Sequence, residues 1–141
     1  MKIVVDANIL IASIFWNGPP YKIIQHALDG KITVLTSPQV LAEVRNVLLD
    51  GDEFGLTLQE TEDIISAILS YAQLVHPTAP IPAVSRDPKD NHILALAKET
   101  TASAIVTRDK DLLVLKTYDK IPIEPPEAFL KRLVTDQVLQ S

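Results

Sequence analysis

Four acidic residues lie where a folded chain could bring their carboxylates together. Asp6 follows directly on a short β-branched run at 2–5, and Asp109 comes shortly after a similar run at 104–106. Glu43 and Asp90 lie near the starts of two predicted helices, which begin at Pro38 and Pro88. Ligands bind beyond the carboxyl ends of the strands in an open α/β sheet, so these side chains are expected to converge on one crevice. The four residues are Asp6, Glu43, Asp90 and Asp109.

Converging carboxylates repel one another and raise one another's pKa, so a stable cluster needs a counter-charge. The chain has no cysteine, and its three histidines, His26, His76 and His92, show no metal-ligand spacing. Oxygen ligands alone suit Mg²⁺ or Mn²⁺. Such ions supply a Lewis acid and an activated water for phosphodiester hydrolysis. The acids therefore predict a metal-dependent nuclease or phosphatase, and the histidines are expected in surface or capping positions.

Each acid also has a purely structural interpretation. Asp87 and Asp90 fit a helix cap and a first helical turn, where the helix dipole favours negative charge. Asp111 fits the cap of a short helix at 112–115, and Glu43 taken alone fits an exposed helical position. Asp6 is harder to explain in this way, because a charged residue directly after an apolar strand is buried on one side. Only the joint spacing of the four acids favours a site.

The elements that must position these acids alternate between strand and helix. This pattern predicts a three-layer α/β/α domain whose central sheet is mainly parallel and has about four to five strands. The chain shows no repeat and no low-complexity stretch, so residues 1–141 are expected to form one domain. Predicted strands cover 2–5, 32–35, 73–75, 104–106 and, as an edge strand, 121–123. Predicted helices cover 8–15, 21–28, 38–49, 57–72, 88–100, 112–115 and 125–134.

Composition excludes several classes of protein. The 141 residues are 47% hydrophobic and 22% charged, which excludes wholesale disorder. Without cysteine there is no disulfide scaffold, thiolate zinc site, iron–sulfur cluster or cysteine nucleophile. The glycines form no phosphate-cradling loop. We expect a cytoplasmic protein without a signal peptide or membrane span. The net charge of −5 counts at first sight against a nucleic-acid partner.

Five segments, in order along nearly the whole chain, resemble the PIN-domain family. Within that family they are most similar to the VapC-like ribonuclease toxins of type II toxin–antitoxin systems. The first four match the family's four acidic motifs, and the fifth resembles the usual ending of this subgroup. The segments read IVVDANILIAS, SPQVLAEVRNVL, SRDPKDNHILALA, AIVTRDKDLL and IPIEPPEAFLKRL.

The resemblance implies a Mg²⁺- or Mn²⁺-dependent endoribonuclease that leaves a 5′-phosphate and a 3′-hydroxyl. Asn8 and Thr107 would orient the acidic side chains from behind. Two positions depart from the family pattern: Ala7 replaces a hydroxyl residue, and Lys89 replaces an acid. Neither departure removes a main acid. The implied catalytic metal ligands are Asp6, Glu43, Asp90 and Asp109.

The same resemblance implies partners. Toxins of this kind are commonly homodimers and are held inactive by a small antitoxin protein. Ile14, Phe15 and Tyr21, on the first two predicted helices, are candidates for such contacts, with a core role as the alternative. Trp16 is expected to pack against its loop.

Two other functions compete with a ribonuclease. A phosphatase of the haloacid-dehalogenase type also begins with a strand and an aspartate, but it needs a second aspartate where this chain has Asn8. A PIN-like module that binds RNA or a protein without cleaving it is the non-enzymatic alternative.

The distribution of charge changes the first view of the net acidity. Without the four proposed ligands the net charge would be about −1, so most of the acidity belongs to one crevice. Basic residues close to those ligands in sequence would form a rim that binds RNA. They are Arg45, Arg86, Lys89, Arg108 and Lys110.

Overall fold

A computed structural model describes residues 1–140, and the side chains of residues 1–135. Within this range the strands form a single sheet in the order β3-β2-β1-β4-β6-β5, and all neighbours are parallel except β5 and β6. The predicted α/β class and mainly parallel sheet are confirmed. The strands are β1 (Lys2–Val5), β2 (Thr33–Thr36), β3 (Ala72–Leu74), β4 (Ala104–Val106), β5 (Thr117–Tyr118) and β6 (Ile121–Glu124).

The helices connect these strands as expected for a sheet with crossovers. Crossover connections between parallel strands are right-handed, which places the helices between β1 and β3 on one face of the sheet and the helix before β4 on the other. The helices are α1 (Ala7–Phe15), α2 (Pro19–Leu28), α3 (Pro38–Leu49), α4 (Leu58–Leu69), α5 (Asn91–Thr100), α6 (Lys110–Leu113) and α7 (Pro126–Gln140). None of the described helices is long and apolar enough to cross a membrane.

The centre of the sheet is entirely apolar. Residues 3–5 of β1 and all of β4 are fully buried, as expected for parallel strands covered on both faces. Phe129 is fully buried and anchors α7 to the core. This apolar centre ends at Asp6 and Thr107, which begin the polar edge of the sheet.

Several predicted boundaries are wrong. The helix predicted at 57–72 ends at Leu69, since Ala72 begins β3. The helix predicted at 88–100 begins with a separate 3-10 turn at Pro88–Asp90. The strand predicted at the edge, 121–123, is internal, because Thr117–Tyr118 pairs with it as a sixth strand.

The missed strand β5 is joined to β6 by a tight turn. Asp119 and Lys120 both have positive φ, at 51° and 67°, which is the geometry of a two-residue hairpin turn. Asn-Gly or Asp-Gly is the usual signal for such a turn, and Asp-Lys is not. The sequence therefore does not predict this two-residue strand.

Candidate active site

The site begins at the carboxyl ends of the two central strands. Val5 and Val106 are register partners, so Asp6 and Thr107 leave the sheet side by side. The Thr107 hydroxyl donates a hydrogen bond to Asp6 Oδ2 and accepts one from the Asp109 backbone N–H, at 3.0 Å. Thr107 is completely buried. One hydroxyl group thus joins the ends of β1 and β4.

Asp6 is held in a largely buried position. Its other oxygen accepts a hydrogen bond from the Ile9 N–H at 3.1 Å, so the side chain also caps α1. Burial raises the pKa of this carboxyl, although the hydrogen bonds from Thr107 and Ile9 oppose the effect. The negative charges of Asp109 and Glu43 raise the pKa of Asp6 further.

Asp90 lies at the end of the 3-10 turn that precedes α5. Burial, and then the neighbouring carboxylates of Asp109, Asp87 and Asp6, raise the pKa of Asp90 to about 7. Its Oδ2 atom is buried and has no hydrogen-bond partner among the described residues. A buried carboxylate oxygen among other acids, with no described cation paired to it, is unfavourable, and a divalent cation would supply the missing charge.

Glu43 enters the site from the second turn of α3. It is half-buried, as its place at the rim of the apolar stripe predicts. Its Oε1 lies 2.7 Å from Nε2 of His92, on α5. The side chain of His92 is only 7% exposed, so the expected surface or capping role for this histidine is wrong. The apolar residues that follow His92 in the sequence could have indicated that it is buried. In the structure all residues from 91 to 97 are buried.

Two acids that the sequence also explained as helix caps join the cluster. Asp87 does cap the 3-10 turn, through the Lys89 N–H at 3.1 Å. Asp111 does not cap a helix at 112–115, because α6 begins earlier and Asp109 caps it. Carboxylate oxygens of Asp87, Asp90 and Asp111 all lie within 4.8 Å of one another. Three acids this close are a donor set suited to a hard cation.

Asn8, expected to orient the acids, is exposed in the first turn of α1, and no described residue bonds to its side chain. Thr107 does contact Asp6. The neighbouring Ala7 is buried, so the chain places a methyl group where the family pattern has a hydroxyl.

The predicted basic rim is partly neutralised. Arg45 pairs with Glu62 at 2.7 Å, and Arg86 pairs with Asp111 at 2.9 Å. Arg108 pairs with Glu127. Lys89 and Lys110 are exposed, and no described acidic side chain pairs with either. These two lysines are therefore the freest cations near the acids.

The residues predicted to make partner contacts lie on the surface. Ile14, Phe15 and Tyr21 are each about 40% exposed, so the alternative core role is wrong. Trp16 is 59% exposed. Its ring packs against Phe15 and Phe54, with ring centroids 6.1 and 6.4 Å away. We call Phe15, Trp16 and Phe54 the aromatic patch.

Comparison with known proteins gives a family match. Residues 2–111 match the model of a family described as PIN domain. An uncharacterized protein of Methanocaldococcus jannaschii is 32% identical over 123 residues, which are 85% of this chain and 78% of that protein.

Solved structures share the fold at lower identity. PAE2754 from Pyrobaculum aerophilum aligns with a TM-score of 0.62 and 21% identity, covering 96% of this chain and 90% of that one. VapBC2 from Rickettsia felis, bound to a DNA fragment from its promoter, aligns with a TM-score of 0.61 and 17% identity. The alignment covers 89% of this chain and 98% of that one. FitAcB from Neisseria gonorrhoeae aligns with a TM-score of 0.59 and 16% identity, covering 89% of this chain and 98% of that one.

Proposed function

Because this chain belongs to the PIN-domain family, whose members are generally nucleases, we propose that it is a Mg²⁺- or Mn²⁺-dependent endoribonuclease. One observation carries the proposal. Asp90 has a buried oxygen without a partner and a raised pKa, and it lies among other acids at the ends of β1 and β4. In the absence of a cation this arrangement is electrostatically unfavourable, and a structural role alone gives no reason for it.

Asp6, Glu43, Asp90 and Asp109 are the proposed ligands of one or two ions. Once bound, a divalent ion supplies Lewis acidity and lowers the pKa of a water molecule, the chemistry that phosphodiester hydrolysis requires. The donor set consists of carboxylates, which fits Mg²⁺ and Mn²⁺ and does not fit soft metals.

Other residues would hold these acids in place. Thr107 donates a hydrogen bond to Asp6, and His92 lies against Glu43. Each contact limits the rotation of an acidic side chain and so helps to orient it. Lys89 and Lys110 are proposed to attract the RNA backbone, and Asn8 to assist at the rim. Because Arg45, Arg86 and Arg108 each have an acidic partner, their proposed contribution to RNA binding is smaller.

The test is cleavage of a mixed-sequence RNA in the presence of Mn²⁺. We expect Asp6→Asn and Asp90→Asn to lose nearly all activity, because each removes a charged ligand. Asp52→Asn is the matched control: it makes the same chemical change in the exposed α3–α4 loop and should leave cleavage unchanged. Equal cleavage by all four proteins would mean that the activity belongs to a contaminant. A wild type that binds RNA and never cleaves it would favour the silent binding module.

Partners are part of the proposal. We propose that the protein acts in the cytoplasm as the toxin of a toxin–antitoxin pair, and that a small cognate protein inhibits it. The fold shared with VapBC2 and FitAcB supports this. We also propose a homodimer, because Phe15 and Trp16 of the aromatic patch are exposed, as are Ile14 and Tyr21 on α1 and α2. Co-expression with a short neighbouring reading frame would test the pair: a complex that suppresses RNA cleavage supports it.

A further inference from the structure

A cavity of about 310 Å³ lies beside the acidic site at the same edge of the sheet. Its walls come from the first turn of α3, the segment that leaves β3, and the start of α5. The sheet order β3-β2-β1 puts this cavity, beyond the ends of β2 and β3, on the same edge of the sheet as the acids beyond the end of β1. We call this space the β2–β3 cavity.

His92 separates the cavity from the acids. It lines the β2–β3 cavity, and its Nε2 lies 2.7 Å from Oε1 of Glu43. The residue is only 6% exposed, and its Nδ1 has no hydrogen-bond partner among the described residues. A strand of RNA that passed the acids would therefore meet this cavity within the reach of an adjoining nucleotide.

The lining indicates the class of ligand. Most of it is apolar, from prolines, alanines and Ile81, and it includes neither lysine nor arginine. A phosphate group is therefore a poor fit. Two polar side chains at the mouth, Gln39 and His76, are exposed, and neither has a hydrogen-bond partner among the described residues. The volume lies at the lower end of the range for small-ligand pockets, roughly 300–1,000 Å³.

We propose that the β2–β3 cavity binds one base of the RNA substrate, from a nucleotide next to the cleaved bond, and thereby sets a base preference. The inference rests on the proposed ribonuclease function. Apolar walls pack against the flat faces of a base, and an imidazole such as that of His76 can stack on it. The Gln39 amide offers a donor and an acceptor together, the pattern that reads the edge of a base.

A binding experiment tests the cavity without any need for cleavage. The metal-free protein, labelled at its isoleucine methyl groups and kept in EDTA, is titrated with each of the four nucleoside 5′-monophosphates and, separately, with inorganic phosphate. We expect at least one nucleotide, but not phosphate, to shift the NMR signal of Ile81, which lines this cavity and not the neighbouring cavity that Ala79 and Ala95 also line. No shift with any nucleotide, or an equal shift with phosphate, would overturn the proposal.

Substitutions at the mouth give a matched pair. Ala79→Phe should fill the cavity and weaken nucleotide binding about tenfold, the effect of losing one stacked base. Ala83→Phe makes the same change in the same exposed connection, outside the cavity lining, and should change binding by less than about twofold. Equal binding by both variants would overturn the proposal.

A second readout addresses the reaction. When the fragments from a random-sequence RNA are sequenced, the wild type should show a base preference at one position beside the cut, and Gln39→Ala should reduce it. An unchanged preference in both Gln39→Ala and Ala79→Phe would contradict the inference while leaving the ribonuclease intact. If no RNA is cleaved, the proposed function fails, and the NMR titration still decides whether the cavity binds a base.

Discussion

At the scale of single residues, Asp90 is the acid whose carboxyl group has the least favourable surroundings for a negative charge. Its pKa of about 7 means that the carboxyl is partly protonated near neutral pH when no cation is bound. The proton reduces the repulsion between Asp90 and the neighbouring carboxylates, and the proposed cation would have to displace it. The pKa of Asp6 is also raised, so burial and nearby acids favour the protonated form of this carboxyl as well.

This cluster should make the stability of the metal-free protein depend on pH. The folded state keeps the Asp90 proton up to about pH 7, whereas the carboxyl of the unfolded chain loses its proton near 3.8. The free energy of unfolding contributed by this group is therefore highest at low pH and falls as pH rises through that window. Asp90→Asn should remove this loss, so its Tm in EDTA should exceed that of the wild type increasingly from pH 5 to pH 8.

The control for this prediction is Asp52→Asn, whose Tm should follow that of the wild type at every pH. Addition of Mn²⁺ at pH 8 should raise the Tm of the wild type more than that of Asp90→Asn. If the difference in Tm between Asp90→Asn and wild type does not grow with pH, the raised pKa assigned to Asp90 is wrong.

Thr107 and Thr36 provide a second comparison at this scale. Both are completely buried near the carboxyl ends of strands. Thr107 bonds to Asp6 and to the Asp109 backbone, whereas the Thr36 hydroxyl has no partner among the described residues. Thr107→Val should lower the free energy of unfolding by ~1–3 kcal/mol, since it leaves buried polar groups unpaired. Thr36→Val should be neutral or stabilising by up to ~1 kcal/mol.

Urea unfolding of the two valine variants checks the comparison directly. Thr107→Val should also reduce RNA cleavage, because Asp6 loses its support, and Thr36→Val should not. A cost in stability equal for the two variants would show that the hydroxyl of Thr107 contributes nothing specific.

At the scale of elements, the starts of α3 and α4 were predictable from their capping residues, whereas the irregular connections were not. The proline at the start of α3 and the serine before it mark its first residue, and the structure begins the helix there. The same is true of the capping box at Thr57 and Glu60. The connection between β3 and α5 carries no periodic pattern, so its contribution to the β2–β3 cavity could not be predicted.

The capping box itself yields a prediction. Thr57 Oγ1 accepts a hydrogen bond from the Glu60 N–H at 3.1 Å, and the Glu60 carboxylate accepts one from the Thr57 N–H at 3.0 Å. Thr57→Ala should lower the free energy of unfolding by about 1 kcal/mol and leave RNA cleavage unchanged. Ser66→Ala, on the exposed face of the same helix, should cost nothing, as chemical denaturation would show. A cost equal to that of Thr57→Ala would contradict the capping role.

At the scale of the whole molecule, the aromatic patch lies apart from the acidic residues at the ends of β1 and β4. The aromatic patch includes the end of α1, whereas Asp6 caps its beginning. A nine-residue helix spans ~14 Å, so a partner could cover the patch and leave the acids open. This separation is compatible with a dimer whose subunits each retain an accessible site.

The aromatic patch should therefore control self-association. Trp16→Ser should shift the sedimentation coefficient of the protein toward that of a monomer, because it removes the most exposed ring of the patch. Val114→Ser, which alters a comparably exposed apolar residue elsewhere, should leave the coefficient unchanged. A wild type that sediments as a monomer at high concentration would contradict the proposed homodimer.

The sequence by itself determined the α/β class and most strands and helices, because periodicity and capping are local properties of the chain. Only the tertiary structure decided which acids touch. Asp109 caps α6, whereas Asp111 meets Asp87 and Asp90. It also buried His92 against Glu43 and turned β6 into an internal strand. These outcomes depend on side-chain directions and on contacts between residues far apart in sequence, which local pattern does not encode.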